Sequence, residues 1–79
     1  YETDWRHFAA WCAAWGHEPL PATIATVAQY LTAYADTLKP ATLERRLVTI
    51  SVRHKAAGHL SPTAHPDVRQ VLSGIRRDR

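Results

Sequence analysis

The sequence has little of what several classes of protein require. It contains one cysteine, Cys12, which excludes a disulfide framework and a cysteine-rich zinc site. No apolar run approaches the roughly 20 residues that a transmembrane helix needs. Glycine is scarce, with three residues, and none lies in a glycine-rich phosphate loop. Methionine is absent even at position 1, and we therefore expect a piece cut from a longer protein.

The 79 residues are enough for one small domain, and 46% of them are hydrophobic, which is typical of a folded chain. Charge is unevenly distributed along the sequence. Up to Leu38 there is one basic residue against four acidic ones, whereas from Lys39 onward there are nine against three. Positive charge concentrated in the second half indicates an anionic partner, and nucleic acid is the first candidate.

Prolines and glycines divide the chain into four segments with helical periodicity. All five prolines lie between these segments or in their first turn, where proline is tolerated. The pattern predicts helices that begin near residues 2, 23, 40 and 66, with Gly16 and Gly58 ending the first and third. Because no segment alternates as a strand does, we predict an all-α fold, a compact bundle of four helices around one core.

Each predicted helix has an apolar face that we expect to form the core. In chain order these faces contain Tyr1, Trp5, Phe8, Ala9, Cys12 and Trp15; Val27, Tyr30, Leu31 and Tyr34; Leu43, Leu47, Ile50 and His54; and Val68, Val71, Leu72 and Ile75. The three tryptophans are expected to supply much of the buried area. Since His54 shares the core stripe of helix 3, we predict a hydrogen-bonded structural role for it.

Helix 3 presents a second, polar stripe beside its core stripe. It is made of cations and hydroxyls, namely Lys39, Thr42, Arg45, Arg46, Thr49 and Arg53, while Glu44 points elsewhere. Guanidinium groups bind phosphates and guanine edges, and hydroxyls bind phosphates or bases, so the stripe suits a groove of DNA. A solvated helix face that happens to hold arginines is the alternative. Helix 1 offers a weaker second surface, with Thr3, Arg6, His7, Ala10 and Ala14 opposite its aromatic face.

Other chemistry finds little support in the sequence. None of the five histidines forms an i, i+4 pair with a carboxylate partner, so we predict no metal site. Cys12 lies on an apolar face and is interpreted as a small buried side chain, not a nucleophile. Paired catalytic carboxylates and a nucleophile elbow are both absent. We therefore predict no catalytic residue and no cofactor.

Four phrases of the sequence match a known pattern. They run YETDWRHFAAWC from residue 1, VAQYL from 27, LKPATLERRL from 38 and PDVRQVLSGIRR from 66. In this order and spacing they resemble the core-binding domain of tyrosine recombinases of the phage-integrase type, especially Cre-like ones. The resemblance implies a sterile-alpha-motif-like helical domain over residues 1–79, with the catalytic domain carboxy-terminal to it and absent here. It also implies a cytoplasmic, nucleoid-associated protein of bacterial or phage origin.

The resemblance further implies partners and site residues. Duplex DNA would lie against Thr3 and Arg6 of helix 1 and against Thr42 and Arg45 of helix 3, with Lys39 and Arg46 beside them. Other recombinase protomers would pack against helix 4, so that Val71, Leu72 and Ile75 would serve that interface as well as the core, with the dominant use left open. Ala41 and Ser61 stand where Cre-like proteins have basic residues, so site-specific readout is less well supported than backbone binding.

Two other functions fit the same helical pattern. A helical protein-interaction domain has this general architecture without binding DNA, since fold alone does not determine function. A free-standing helix-turn-helix repressor is the other alternative, with residues 36–39 as its turn. Charge reversal at Arg45 and Arg46 is expected to distinguish the first alternative from a DNA-binding domain, and stable dimers with palindromic site preference would indicate the second.

Overall fold

A computed structural model of the chain describes residues 2–78, and within that range it contains four α-helices and no strand. The helices are α1 (Glu2–Trp15), α2 (Ile24–Ala33), α3 (Pro40–Ala56) and α4 (Pro66–Asp78). A short 3-10 helix, Pro62–Ala64, which the sequence did not predict, precedes α4. The predicted all-α bundle of four helices is confirmed.

The helix ends follow from local chemistry that the sequence makes visible. The hydroxyl of Thr23 caps α2 by accepting a hydrogen bond from the backbone N–H of Thr26 at 3.0 Å. Pro40 occupies the first turn of α3, where its missing N–H leaves no donor unpaired. After α1 and α3 the chain reverses through Gly16 and Gly58, whose φ angles of 73° and 82° lie in the left-handed region that favours glycine.

The core lies between two helix pairs. α1 packs against α3 and α2 packs against α4, while the 3-10 helix contacts α2, α3 and α4. Fully buried side chains from all four helices fill the space between them, among them Phe8, Tyr30, Leu31, Leu43, Ile50 and Val68. In α4, Leu72 and Ile75 are also buried in this core. The apolar residues of α4 therefore serve the core of their own chain.

The aromatic packing differs from the expectation in one respect. Trp15 is 70% exposed, and Trp5 and Trp11 are only partly buried, so the tryptophans do not dominate the core. Tyr30 is instead its aromatic centre, with the ring of Phe8 edge-on at 5.0 Å between centroids. The prediction that Trp15 belongs to the core is therefore wrong: it is the last residue of α1, and a helical wheel assigns a face by angle alone.

His54 has the structural role that its position predicts. Its ring is fully buried, and its Nε2 accepts a hydrogen bond from the backbone N–H of Ala22 at 2.9 Å. Nδ1 lies 2.7 Å from the carbonyl oxygen of Ile50 and must donate to it, because a carbonyl only accepts. The imidazole is thus neutral, with its proton on Nδ1, and it ties α3 to the connection before α2.

Three further features of the described residues concern a membrane helix, a metal site and the one cysteine. Among residues 2–78, no helix is both long and apolar enough to cross a membrane. Within the same range, no three His, Cys, Asp or Glu side chains come together as metal ligands would. Cys12 is buried, and burial, with the charge of Glu18, raises the pKa of its thiol to about 11.

Candidate nucleic-acid interface

The polar faces of α1 and α3 meet along the contact between these two helices. Arginines of α3 reach across to carboxylates of α1, and one arginine of α1 pairs within its own helix. We call the six side chains involved the arginine–carboxylate cluster; its members are Glu2, Asp4, Arg6, Arg45, Arg46 and Arg53. Four guanidinium groups against two carboxylates leave the cluster with a net charge of +2.

Asp4 is the most buried charge of the cluster, with only 5% of the residue exposed. Arg45 donates to both of its oxygens, from Nε to Oδ2 at 2.9 Å and from Nη2 to Oδ1 at 3.1 Å. This two-point contact fits the planar guanidinium to the planar carboxylate. The hydrogen bonds from Arg45 hold the pKa of Asp4 below its ordinary value of 3.8, and they outweigh burial, which acts in the opposite direction.

A second arginine connects Asp4 to the aromatic core. Arg46 Nη1 donates to the hydroxyl of Tyr30 at 2.8 Å, and Arg46 Nε lies 3.6 Å from Asp4 Oδ1. The Tyr30 hydroxyl lies 2.7 Å from Nδ1 of His7. Burial, followed by the charge of Arg46, lowers the pKa of His7, and burial raises the pKa of Tyr30. A neutral His7 whose Nδ1 accepts a hydrogen bond from the Tyr30 hydroxyl is consistent with both directions.

The outer part of the cluster is organised by Glu2, whose side chain is 62% exposed. Its Oε2 accepts a hydrogen bond from Arg53 Nη2 at 2.8 Å, and its Oε1 lies 3.5 Å from Arg6 Nε. The guanidinium of Arg53 also lies over the ring of Trp5, 5.2 Å from its centroid, at cation–π distance. Arg53 is thereby held at the surface with 41% of its side chain exposed.

The structure distributes the predicted site residues over three environments. Thr3, Arg6, Lys39 and Arg45 are exposed, and Thr42 and Arg53 are intermediate. Arg46 is largely covered, with 12% of its side chain exposed. Thr49 is 3% exposed and its hydroxyl donates to the carbonyl of Arg45 at 3.2 Å, so it does not reach the surface expected for it.

Two parts of the helix 1 prediction also need correction. His7 was expected on the exposed face, but it is partly buried against α2, with its ring edge-on to Tyr34 at 4.9 Å between centroids. The carboxylate partners of the arginines were missed, because Glu2 and Asp4 were counted only as charge. Their signal is present in the sequence: Asp4 precedes Phe8 and Cys12 by one and two helical turns, which places an acid on a core stripe. A buried acid requires a cationic partner.

The chain is similar to a known protein along its whole length. It is 38% identical, over 82 aligned positions, to an integrase/recombinase xerD homolog of Selenomonas ruminantium. This similarity supports a relationship to the tyrosine recombinase family. The chain spans 24% of the length of that recombinase relative. No protein-family model matches the chain, and no solved structure matches it significantly.

Proposed function

We propose that this chain is the core-binding domain of a site-specific tyrosine recombinase or integrase, and that it contacts duplex DNA through α1 and α3. The observation that supports this most strongly is the surface along these two helices, where guanidinium groups outnumber carboxylates in a chain related to a recombinase. Strand cleavage and joining would belong to the rest of the parent protein. Other recombinase protomers would be further partners. The protein would act in the cytoplasm, on bacterial or phage DNA.

The proposed contacts are mainly to the sugar-phosphate backbone. Arg6, Lys39, Arg45 and Arg53 are the cations accessible enough to meet phosphate oxygens, and Thr3 adds an exposed hydroxyl. A phosphate presents oxygens to a guanidinium as a carboxylate does, and Glu2 and Asp4 hold the arginines that they pair with along the surface formed by α1 and α3. Arg46 and Thr49 would support this surface from beneath without touching DNA.

Binding of the 79-residue chain to duplex DNA should weaken steeply with salt. Four neutralised phosphates predict a slope of about −3.6 for the logarithm of the association constant against the logarithm of salt concentration. The polar stripe as predicted from the sequence, with four to six phosphate contacts, would give a slope of about −3.6 to −5.4. Fluorescence anisotropy with a labelled duplex between 25 and about 200 mM salt measures the slope. A slope near zero, or no binding at the lowest salt, contradicts the proposal.

Reversing two exposed charges should weaken binding without unfolding the chain. We expect Arg6→Glu combined with Lys39→Glu to reduce affinity for duplex DNA by about 10- to 30-fold at low salt, since each change removes one phosphate contact and adds a repulsion. Arg45 and Arg46 are unsuitable for this test. Their reversal would place two more acids beside buried Asp4 and would remove its cationic partners, so the chain itself would be destabilised.

The matched control makes the same change of charge on α4, with Arg69→Glu and Arg77→Glu. Arg76 is left in place because it pairs with Glu44 of α3. Under the proposal the control pair loses much less affinity than the α1–α3 pair. Equal losses would mean that DNA binding depends only on the net charge of the chain. If the chain is a protein-interaction domain, neither the wild-type chain nor the variants should bind DNA.

A further inference from the structure

Glu2 is the exposed acid of the arginine–carboxylate cluster, and it lies between two cations. One of its oxygens accepts a hydrogen bond from Arg53 and the other lies within ion-pair distance of Arg6. Both arginines belong to the surface proposed to meet phosphate. A DNA phosphate that approached Arg53 would therefore meet a carboxylate already hydrogen-bonded to it, and one that approached Arg6 would meet the same carboxylate at ion-pair distance.

We propose that Glu2 competes with DNA phosphates for Arg6 and Arg53 and so weakens the binding of duplex DNA. This inference rests on the proposed function. In the free chain the carboxylate stands in for phosphate and keeps both guanidinium groups oriented. When DNA binds, the Glu2 carboxylate must leave the two guanidinium groups, and it then remains close to the negatively charged phosphates. Glu2 thereby lowers the affinity of the chain for the phosphates of duplex DNA.

The solvent exposure of the ion pairs supports an exchange at Glu2 and not at Asp4. Exposed pairs of long side chains are weak, because water and salt replace them with little change in free energy. The Glu2 side chain is 62% exposed, and its partners Arg6 and Arg53 are 77% and 41% exposed. The Asp4 side chain is only 6% exposed. If its arginine partners left it, its carboxylate would be a buried charge with no partner, which is costly. Asp4 therefore keeps its partners in the bound state.

The test replaces Glu2 with glutamine, which keeps the size of the side chain and removes its charge. We expect Glu2→Gln to bind a non-target duplex about 3- to 10-fold more tightly than the wild-type chain at low salt. The salt slope should also become steeper by about 1, since one anion no longer offsets the cations. In a chain that already carries Arg6→Gln and Arg53→Gln, adding Glu2→Gln should bring no further gain in affinity for DNA.

Glu18→Gln is the matched control. It makes the same change of charge beyond the other end of α1, about 20 Å of helix away from the cluster. Circular dichroism establishes that each variant is folded. If the wild-type chain binds DNA and Glu2→Gln binds no better than Glu18→Gln, the competition is wrong while the proposed function stands. If neither the wild-type chain nor any variant binds at low salt, the proposed function itself fails.

Discussion

The His54→Ala variant will be far less stable than the wild-type chain, by about 3–5 kcal/mol in its free energy of unfolding. The change leaves the N–H of Ala22 without its buried acceptor, removes the hydrogen bond from Nδ1 to the Ile50 carbonyl, and opens a cavity where the ring lay. A 79-residue domain has a total stability of only about 4–12 kcal/mol, so the variant approaches the unfolded state at room temperature. Urea unfolding followed by circular dichroism measures the loss.

His59→Ala serves as the control for this variant. His59 lies in the exposed connection after α3, and its ring centroid is 6.4 Å from that of His54. We expect it to change the free energy of unfolding by less than about 0.5 kcal/mol, as surface substitutions do. If His54→Ala unfolds at the same urea concentration as His59→Ala, the two hydrogen bonds of the buried ring do not hold α3 to the connection before α2.

The second large effect is expected for Asp4→Asn, which should lower the free energy of unfolding by about 2–3 kcal/mol near neutral pH. The amide cannot accept the paired hydrogen bonds that Arg45 donates, and it leaves the covered guanidinium of Arg46 without a nearby anion. The estimate lies below that for a fully buried pair because the Arg45 side chain is 58% exposed. Asp36→Asn makes the same chemical change at an exposed position and should have little effect.

The pH dependence of this difference follows from the lowered pKa of Asp4. A carboxyl group whose pKa is lower in the folded chain stabilises that chain above its unfolded pKa, near 3.8. That contribution is lost as the pH falls through the lower, folded pKa. The stability gap between the wild-type chain and Asp4→Asn should therefore be full at pH 6 and shrink below about pH 4. A gap that stays constant from pH 6 to pH 2 contradicts the role assigned to Asp4.

Much of the fold could be predicted because its determinants are local. Gly16, Gly58 and Pro40 mark helix boundaries through their own backbone preferences, and the Thr23 cap needs only a neighbour three residues away. The core stripe of α3 repeats with the helical period, so even the buried histidine was placed correctly. α1 packs against α3, and this contact brings their polar faces together. The contact depends on the whole core, so the sequence of either helix alone does not predict it.

The limits of prediction are clearest at the candidate site. Periodicity put Arg45, Arg46 and Thr49 on one polar stripe, yet their exposure ranges from 58% of the Arg45 side chain to 3% of Thr49. A wheel drawn for an isolated helix leaves out its neighbours, such as α1 and α2, whose Asp4 and Tyr30 contact Arg46. The acid that orients two of the arginines lies about 40 residues earlier in the chain. Only a search for polar residues on core stripes would have suggested that pair.

The inert thiol of Cys12 has a practical consequence for studying this molecule. With its side chain fully buried and its pKa raised to about 11, the group is almost entirely protonated at neutral pH and out of reach of maleimides. Because the sequence has no other cysteine, a single one introduced at exposed Thr3 or Ala41 would be labelled selectively. Fluorophores or photo-crosslinkers attached there would map the orientation of a bound duplex without first removing a native residue.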